Sequence, residues 1–101
     1  MNTSITARHC EISDDLRARA EEIVGRLSAL VSRPGDALVV FDVEGGEPTA
    51  EIRLKGSRGE DFVGGGSAKD HRSALDRAEE KVRRQIEKAG AKRERGVKGT
   101  A

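Results

Sequence analysis

The chain has 101 residues, enough for one small core and too few for two. Only 35 % of them are hydrophobic, Trp and Tyr are missing, and Phe41 and Phe62 are the sole aromatic side chains, which argues against a module that reads nucleic acid by stacking bases on exposed rings. Charged residues reach 37 % and nearly cancel at a formal +1; no apolar run approaches the roughly 18–20 residues of a membrane span, and the opening Met1-Asn2-Thr3-Ser4-Ile5 has no secretory character, so neither membrane nor export is expected.

From Thr3 to Cys10 small or apolar residues (Ile5, Ala7) alternate with polar ones (Thr6, Arg8), as in a half-buried strand. Ser13 followed by Asp14-Asp15 is helix-start chemistry, a hydroxyl cap ahead of acids in the first turn. Leu16, Ala20, Ile23, Val24, Leu27, Leu30 and Val31 then recur every three or four residues on one helical face, until Arg33-Pro34-Gly35-Asp36 stops the helix. Ala37 to Glu44 is β-rich, Gly45-Gly46-Glu47-Pro48 is a turn, and Thr49 to Lys55 alternates strictly, with Ala50, Ile52 and Leu54 on one side. After the turn Gly56-Ser57-Arg58-Gly59, Glu60 to Gly66 reads as a weaker strand in which Phe62, Gly64 and Gly66 share a face. Glycines on a covered face let a helix approach closely. Ser67 or Asp70 caps a last helix running to about Lys92, followed by a basic, glycine-containing tail. The order is β-α-β-β-β-α, an α+β domain over residues 1–92 with a flexible tail at 93–101. Its strands form a four-stranded sheet, with both helices packed on one face.

The near-neutral total conceals an asymmetry. Residues 1–66 hold 8 Lys/Arg against 12 Asp/Glu, whereas residues 67–101 hold 11 against 6. At about 100° per residue, Arg77, Lys81, Arg84, Lys88, Lys92 and Arg95 fall within about 80° of one another on the last helix, a basic ridge about 27 Å long. Leu75, Ala78, Val82, Ile86 and Ala89 form the stripe to be buried, and Asp76, Glu80, Glu87 and Glu94 gather on a third face. A solvated helix tends to intersperse its signs as (i, i+4) pairs, and Glu80–Arg84 and Arg83–Glu87 are such pairs; the segregation of the rest favours a surface for backbone phosphates. Arg19, Arg26 and Arg33, spaced by seven on the first helix, are a secondary candidate contact diluted by Asp15 and Glu22. Arg8, Arg53 and Lys55 read as ordinary surface charges countered by Glu51.

Little points to catalysis. A lone Cys10 can neither close an internal disulfide nor complete a zinc site, and implies a reducing, cytoplasmic setting. As neighbours in a strand, His9 and Cys10 point to opposite faces; Cys10 reads as a small strand-end residue and His71 as a partly buried packing residue. No motif spacing joins His9, Cys10 and His71 into a metal site. Gly64-Gly65-Gly66-Ser67-Ala68-Lys69 lacks the Gly-Lys-Ser/Thr ending of a phosphate loop. No enzyme activity, cofactor, metal or small-molecule substrate is expected.

The segment Asp70 to Lys88 carries a resemblance. Ala74-Leu75-Asp76 and Lys81-Val82-Arg83-Arg84-Gln85-Ile86-Glu87-Lys88 resemble the run Lys-Leu-x-Arg-Gln-Leu-x-Lys of the short-form ribosome hibernation-promoting factors, also called ribosome-associated translation inhibitors. Lys81, Arg84, Gln85 and Lys88 stand at matching positions, Lys92 fits the continuation, and the likeness extends back to Ser4-Ile5-Thr6-Ala7-Arg8-His9. The chain departs from the pattern at His71-Arg72, where relatives often carry an aromatic, and at Gly90, where a basic residue is common. The resemblance implies a fold like the double-stranded-RNA-binding domain. It also implies a seat in the decoding region of the small ribosomal subunit, across the mRNA and tRNA paths, which keeps ribosomes idle in starvation or stationary phase. Its expected partner is small-subunit rRNA, met by Arg77, Lys81, Arg84, Lys88 and Lys92, with Arg19 and Arg26 as secondary contacts. The residues leave other readings open: a duplex-RNA binder acting off the ribosome, a domain whose ridge meets an acidic protein, or a thiol enzyme using Cys10.

Overall fold

The structure, a computed structural model, describes the backbone of residues 2–56 and 59–98 and the side chains of 2–56 and 59–89. Six elements follow in the expected order: β1 (Thr3–Ala7), α1 (Asp14–Ser28), β2 (Ala37–Glu44), β3 (Glu47–Lys55), β4 (Asp61–Ser67) and α2 (His71–Lys98). The sheet order is β1-β2-β3-β4. β1 and β2 are parallel, as the α1 crossover requires, and β2-β3-β4 is an antiparallel meander. Gly45 and Gly46, with φ of 58° and 80°, make the two-residue turn between β2 and β3, where left-handed backbone matches the twist of the strands.

One face of the sheet is covered. Val39, Phe41, Ala50, Ile52, Leu54 and Phe62 are buried there against Ala20, Ile23, Val24 and Leu27 of α1 and Ala74, Leu75, Ala78, Val82 and Ile86 of α2. Both helices therefore share one face, and the opposite face, with Thr6, Glu51 and Arg53 exposed, carries no helix. No helix among the described residues is long and apolar enough to cross a membrane.

The helix starts follow their caps. Ser13 Oγ accepts the Leu16 N–H at 3.1 Å, and Asp70 Oδ1 accepts the Ser73 N–H at 2.7 Å, which decides for Asp70 over Ser67. The ends differ from the sequence expectation in several places: β3 begins at Glu47, so Glu47 and Pro48, expected in the turn, pair with β2, and β4 lies one residue later than expected. β1 stops at Ala7: the Arg8 N–H makes a last bond to Phe41 O, and His9 then turns into the left-handed region at φ 57°. His9 and Cys10 are thus outside a strand, and the opposite-face argument for them does not apply. α1 stops at Ser28, because Leu30 and Val31 donate to Leu27 and Ser28 three residues back and Arg33, ahead of Pro34, sits at φ 54°. Leu30 consequently leaves the apolar stripe and is 49 % exposed. The backbone of α2 continues to Lys98, six residues past the expected end at Lys92. The side chains of Lys92, Arg95 and the rest of the expected tail lie outside the described residues.

Candidate nucleic-acid interface

Close packing of α2 on β4 sets the position of the basic ridge. A Cβ on Gly66 would stand 2.7 Å from Arg77 Cβ and 2.8 Å from Ala74 O; one on Gly64 would stand 2.9 Å from Lys81 Cβ and 3.0 Å from Ala78 O. Only hydrogen fits at either position, so the two glycines bring the helix directly onto the strand, as their shared face suggested. The stems of Arg77 and Lys81 are thereby held at the sheet margin. Arg77, Lys81, Arg84 and Lys88 are all exposed, along one line of the helix.

Between this line and the strand lies a notch of about 280 Å³, lined by Gly66, Ser67, Arg77, Glu80, Lys81 and Arg84. Glu80 Oε1 accepts from Arg84 Nη2 at 2.5 Å, the (i, i+4) pair anticipated from the sequence. Gln85, next along the helix, clamps the strand: Nε2 donates to Val63 O at 2.5 Å and Oε1 accepts from Val63 N at 3.0 Å. This amide does for β4 what another strand would do, closing part of an open sheet edge. The family resemblance singled Gln85 out, but its structural work needs the spatial neighbour Val63, which the sequence does not reveal.

The secondary candidates lie elsewhere. Arg19 donates from Nη2 and Nε to Asp76 Oδ1, at 2.8 and 3.3 Å, and Arg26 Nη2 donates to Glu79 Oε2 at 3.1 Å. Glu79 also accepts from Arg83 Nη2 at 3.2 Å. Donating to Asp76 raises the Arg19 pKa above its ordinary value. These arginines bridge α1 to α2, on the side of α2 away from the ridge, and each has a carboxylate beside it. Sequence reasoning missed these bridges because the partners are more than fifty residues apart.

Both histidines reach Asp42. His9 Nδ1 is 3.0 Å from Asp42 Oδ1, and His71 Nε2 is 2.8 Å from Asp42 O. The bond to His9, aided by the Val43 N–H, holds the Asp42 carboxyl below its ordinary value. His71 also meets the Phe41 ring edge-on at 5.7 Å, the half-buried packing role expected of it. Cys10 is half-buried against the core. Among the described residues no group of three or more His, Cys, Asp or Glu side chains is placed to hold a metal. On the open sheet face Arg8, Asp42, Glu44, Thr49, Glu51 and Ser67 help line a shallow concavity, while Arg53 and Lys55 stand exposed. No ion pair joins Glu51 to Arg53 or Lys55 among the described residues.

The family described as Sigma 54 modulation protein / S30EA ribosomal protein matches residues 3–94. Among solved structures, a ribosomal subunit interface protein from Coxiella burnetii superposes with a TM-score of 0.76 at 18 % identity, over 90 % of this chain and 99 % of that one. The N-terminal domain of Protein Y from Thermus thermophilus superposes with a TM-score of 0.74 at 27 % identity, over 87 % of this chain and 98 % of that one. No curated protein sequence matches the chain.

Proposed function

The chain belongs to the Sigma 54 modulation protein / S30EA ribosomal protein family, and on that footing we propose that it is a cytoplasmic translation inhibitor that acts by binding, without catalysis. Its seat is the decoding region of the small ribosomal subunit, where it bars mRNA and tRNA and keeps the ribosome inactive under starvation or in stationary phase. One observation carries the reading: four exposed cations, Arg77, Lys81, Arg84 and Lys88, share a line on a helix that the glycines of β4 hold against the sheet. Such a row meets successive phosphates of folded RNA, and its charge need not be matched by acids from the rest of the chain. Lys92 extends the row in sequence. Arg19 and Arg26 make a second, weaker contact through the parts of their guanidinium groups not turned to Asp76 and Glu79.

The test is co-sedimentation with isolated small ribosomal subunits at two salt concentrations. Stoichiometric pelleting is expected, weakened about tenfold or more by Arg84→Glu with Lys88→Glu, with a salt dependence shallower by about 0.7–0.9 per lost phosphate contact. Unchanged binding by the double reversal rejects the ridge as the ribosome-facing surface. Equal affinity for a free RNA duplex and for the subunit favours an RNA binder acting off the ribosome. Binding that survives nuclease treatment favours an acidic protein partner.

A further inference from the structure

Ladder parity decides where the backbone of β4 points. The Ala68 N–H bonds Pro48 O at 3.1 Å and the Gly56 N–H bonds Glu60 O at 2.9 Å, one at each end of the β3–β4 ladder. In the register Ala50↔Gly66, Ile52↔Gly64 and Leu54↔Phe62, the even-numbered residues of β4 therefore exchange bonds with β3. The odd-numbered residues Val63, Gly65 and Ser67 turn their N–H and C=O groups outward, away from β3. At Val63 both outward groups are taken by Gln85, which confirms the parity. Ser67, whose N–H turns outward by this parity, lines the notch together with Arg77, Lys81 and Arg84.

Three cationic side chains and one main-chain donor converge on a space where Glu80 is the sole acidic lining residue among the described residues. The Glu80 carboxylate already sits against Arg84, so the notch accepts an anion in its free form. Fixed N–H groups together with guanidinium forks suit a group bearing several acceptor oxygens better than a single carboxylate does. We propose that this notch seats one backbone phosphate of the bound RNA, with the Ser67 N–H as a main-chain ligand and Glu80 as the resident counter-anion that the phosphate displaces from Arg84. The proposal rests on the function proposed above and adds to it a defined seat and a built-in competitor. Glu80 lowers the affinity of the notch for any stray polyanion, and only RNA that also engages the rest of the ridge overcomes it.

The experiment measures binding of the full chain to isolated small ribosomal subunits across a salt series. Glu80 and Glu87 are both exposed acids of α2, but only Glu80 lines the notch. Glu80→Gln is expected to tighten binding about fivefold, whereas Glu87→Gln, which removes the same charge elsewhere on the helix, changes it less than about twofold. Ser67→Pro deletes the outward N–H on an edge strand, where proline is tolerated, and is expected to weaken binding about fivefold. Ser67→Ala keeps that N–H and is expected to bind more tightly than Ser67→Pro. Equal gains from the two glutamate variants, or equal binding by a folded Ser67→Pro and Ser67→Ala, overturn the seat. If Ser67→Pro does not fold, the glutamate pair decides alone. If Arg84→Glu with Lys88→Glu abolishes binding while the glutamate variants match each other, the seat falls and the ribosome reading stands. If that double reversal binds like the wild type, the ribosome reading falls and the seat with it.

Discussion

Gly66→Ala tests the close packing on which the ridge depends. The new methyl would lie 2.7 Å from Arg77 Cβ and 2.8 Å from Ala74 O, which is 0.6–0.7 Å inside the 3.4 Å where ordinary contact begins. Both obstacles belong to helix backbone or to a carbon fixed to it, and a third, Ala78 N, stands at 3.2 Å, so no side-chain rotation relieves the clash. The helix must shift off the strand, away from a core where Leu75, Ala78 and Val82 are fully buried. Overpacking of this kind costs about 1–3 kcal/mol, a large share of the roughly 5–15 kcal/mol that holds a domain folded. Gly65→Ala is the control, because its Cβ would meet only Ala50 O at 3.6 Å and its backbone φ is not in the left-handed region. There the alanine restricts the unfolded chain and is neutral or stabilising by up to about 1 kcal/mol. Urea unfolding of the two variants and the wild type reads the difference as a shift in midpoint at constant slope. Equal midpoints for Gly66→Ala and Gly65→Ala would refute the argument from contact distance.

Three further outcomes are expected. The Asp70 carboxyl is held below its ordinary value by the Ser73 N–H, so its capping contribution is complete above the unfolded value of 3.8 and is lost as pH falls through the lower folded value. Thermal melts should show Asp70→Ala less stable than wild type at neutral pH, with the gap closing below pH 3.8, and a gap that widens in acid contradicts this. Gln85→Ala frees both Val63 backbone groups and should cost about 1 kcal/mol, with faster amide hydrogen exchange at Val63 and little change at Ile52 in the sheet interior. A double-mutant cycle on Arg26 and Glu79 should return a coupling of about 0.2–1 kcal/mol, since Arg26 is half exposed, and a larger value would mean that the pair is shielded from water.

What could be read from the sequence depended on how local its cause was. Element order, the buried stripe of α2 and the paired glycines of β4 all follow from periodicity, and each recurs in the structure. The Ser13 cap followed from chemistry within one turn of the chain. The ends of β1 and α1 did not, because His9 and Arg33 leave regular structure through left-handed backbone that neither residue type demands. Leu30 kept the helical spacing while the helix itself had stopped two residues earlier. At the candidate interface, Arg77, Lys81, Arg84 and Lys88 line up as their spacing requires, since a helix converts spacing into direction. Arg19 and Arg26 looked similar in sequence, yet they lie against Asp76 and Glu79, partners that only the packing of α1 on α2 brings near. The same holds for Asp42, where two histidines 62 positions apart meet.

The parallel pairing of β1 with β2 has a consequence for the order of assembly. Thr3 lies opposite Ala37, so β1 leaves the synthesising ribosome more than thirty residues ahead of the strand it pairs with. β2, β3, β4 and α2, in contrast, close on one another through short connections, where loop-closure entropy is small. The meander with α2 is therefore expected to nucleate, and β1 to dock onto a preformed edge. Truncation of Ile5 to Val should then speed unfolding and leave the folding rate unchanged, a φ-value near zero. A newly made chain would hold its basic helix in place before its own N-terminal strand has been captured.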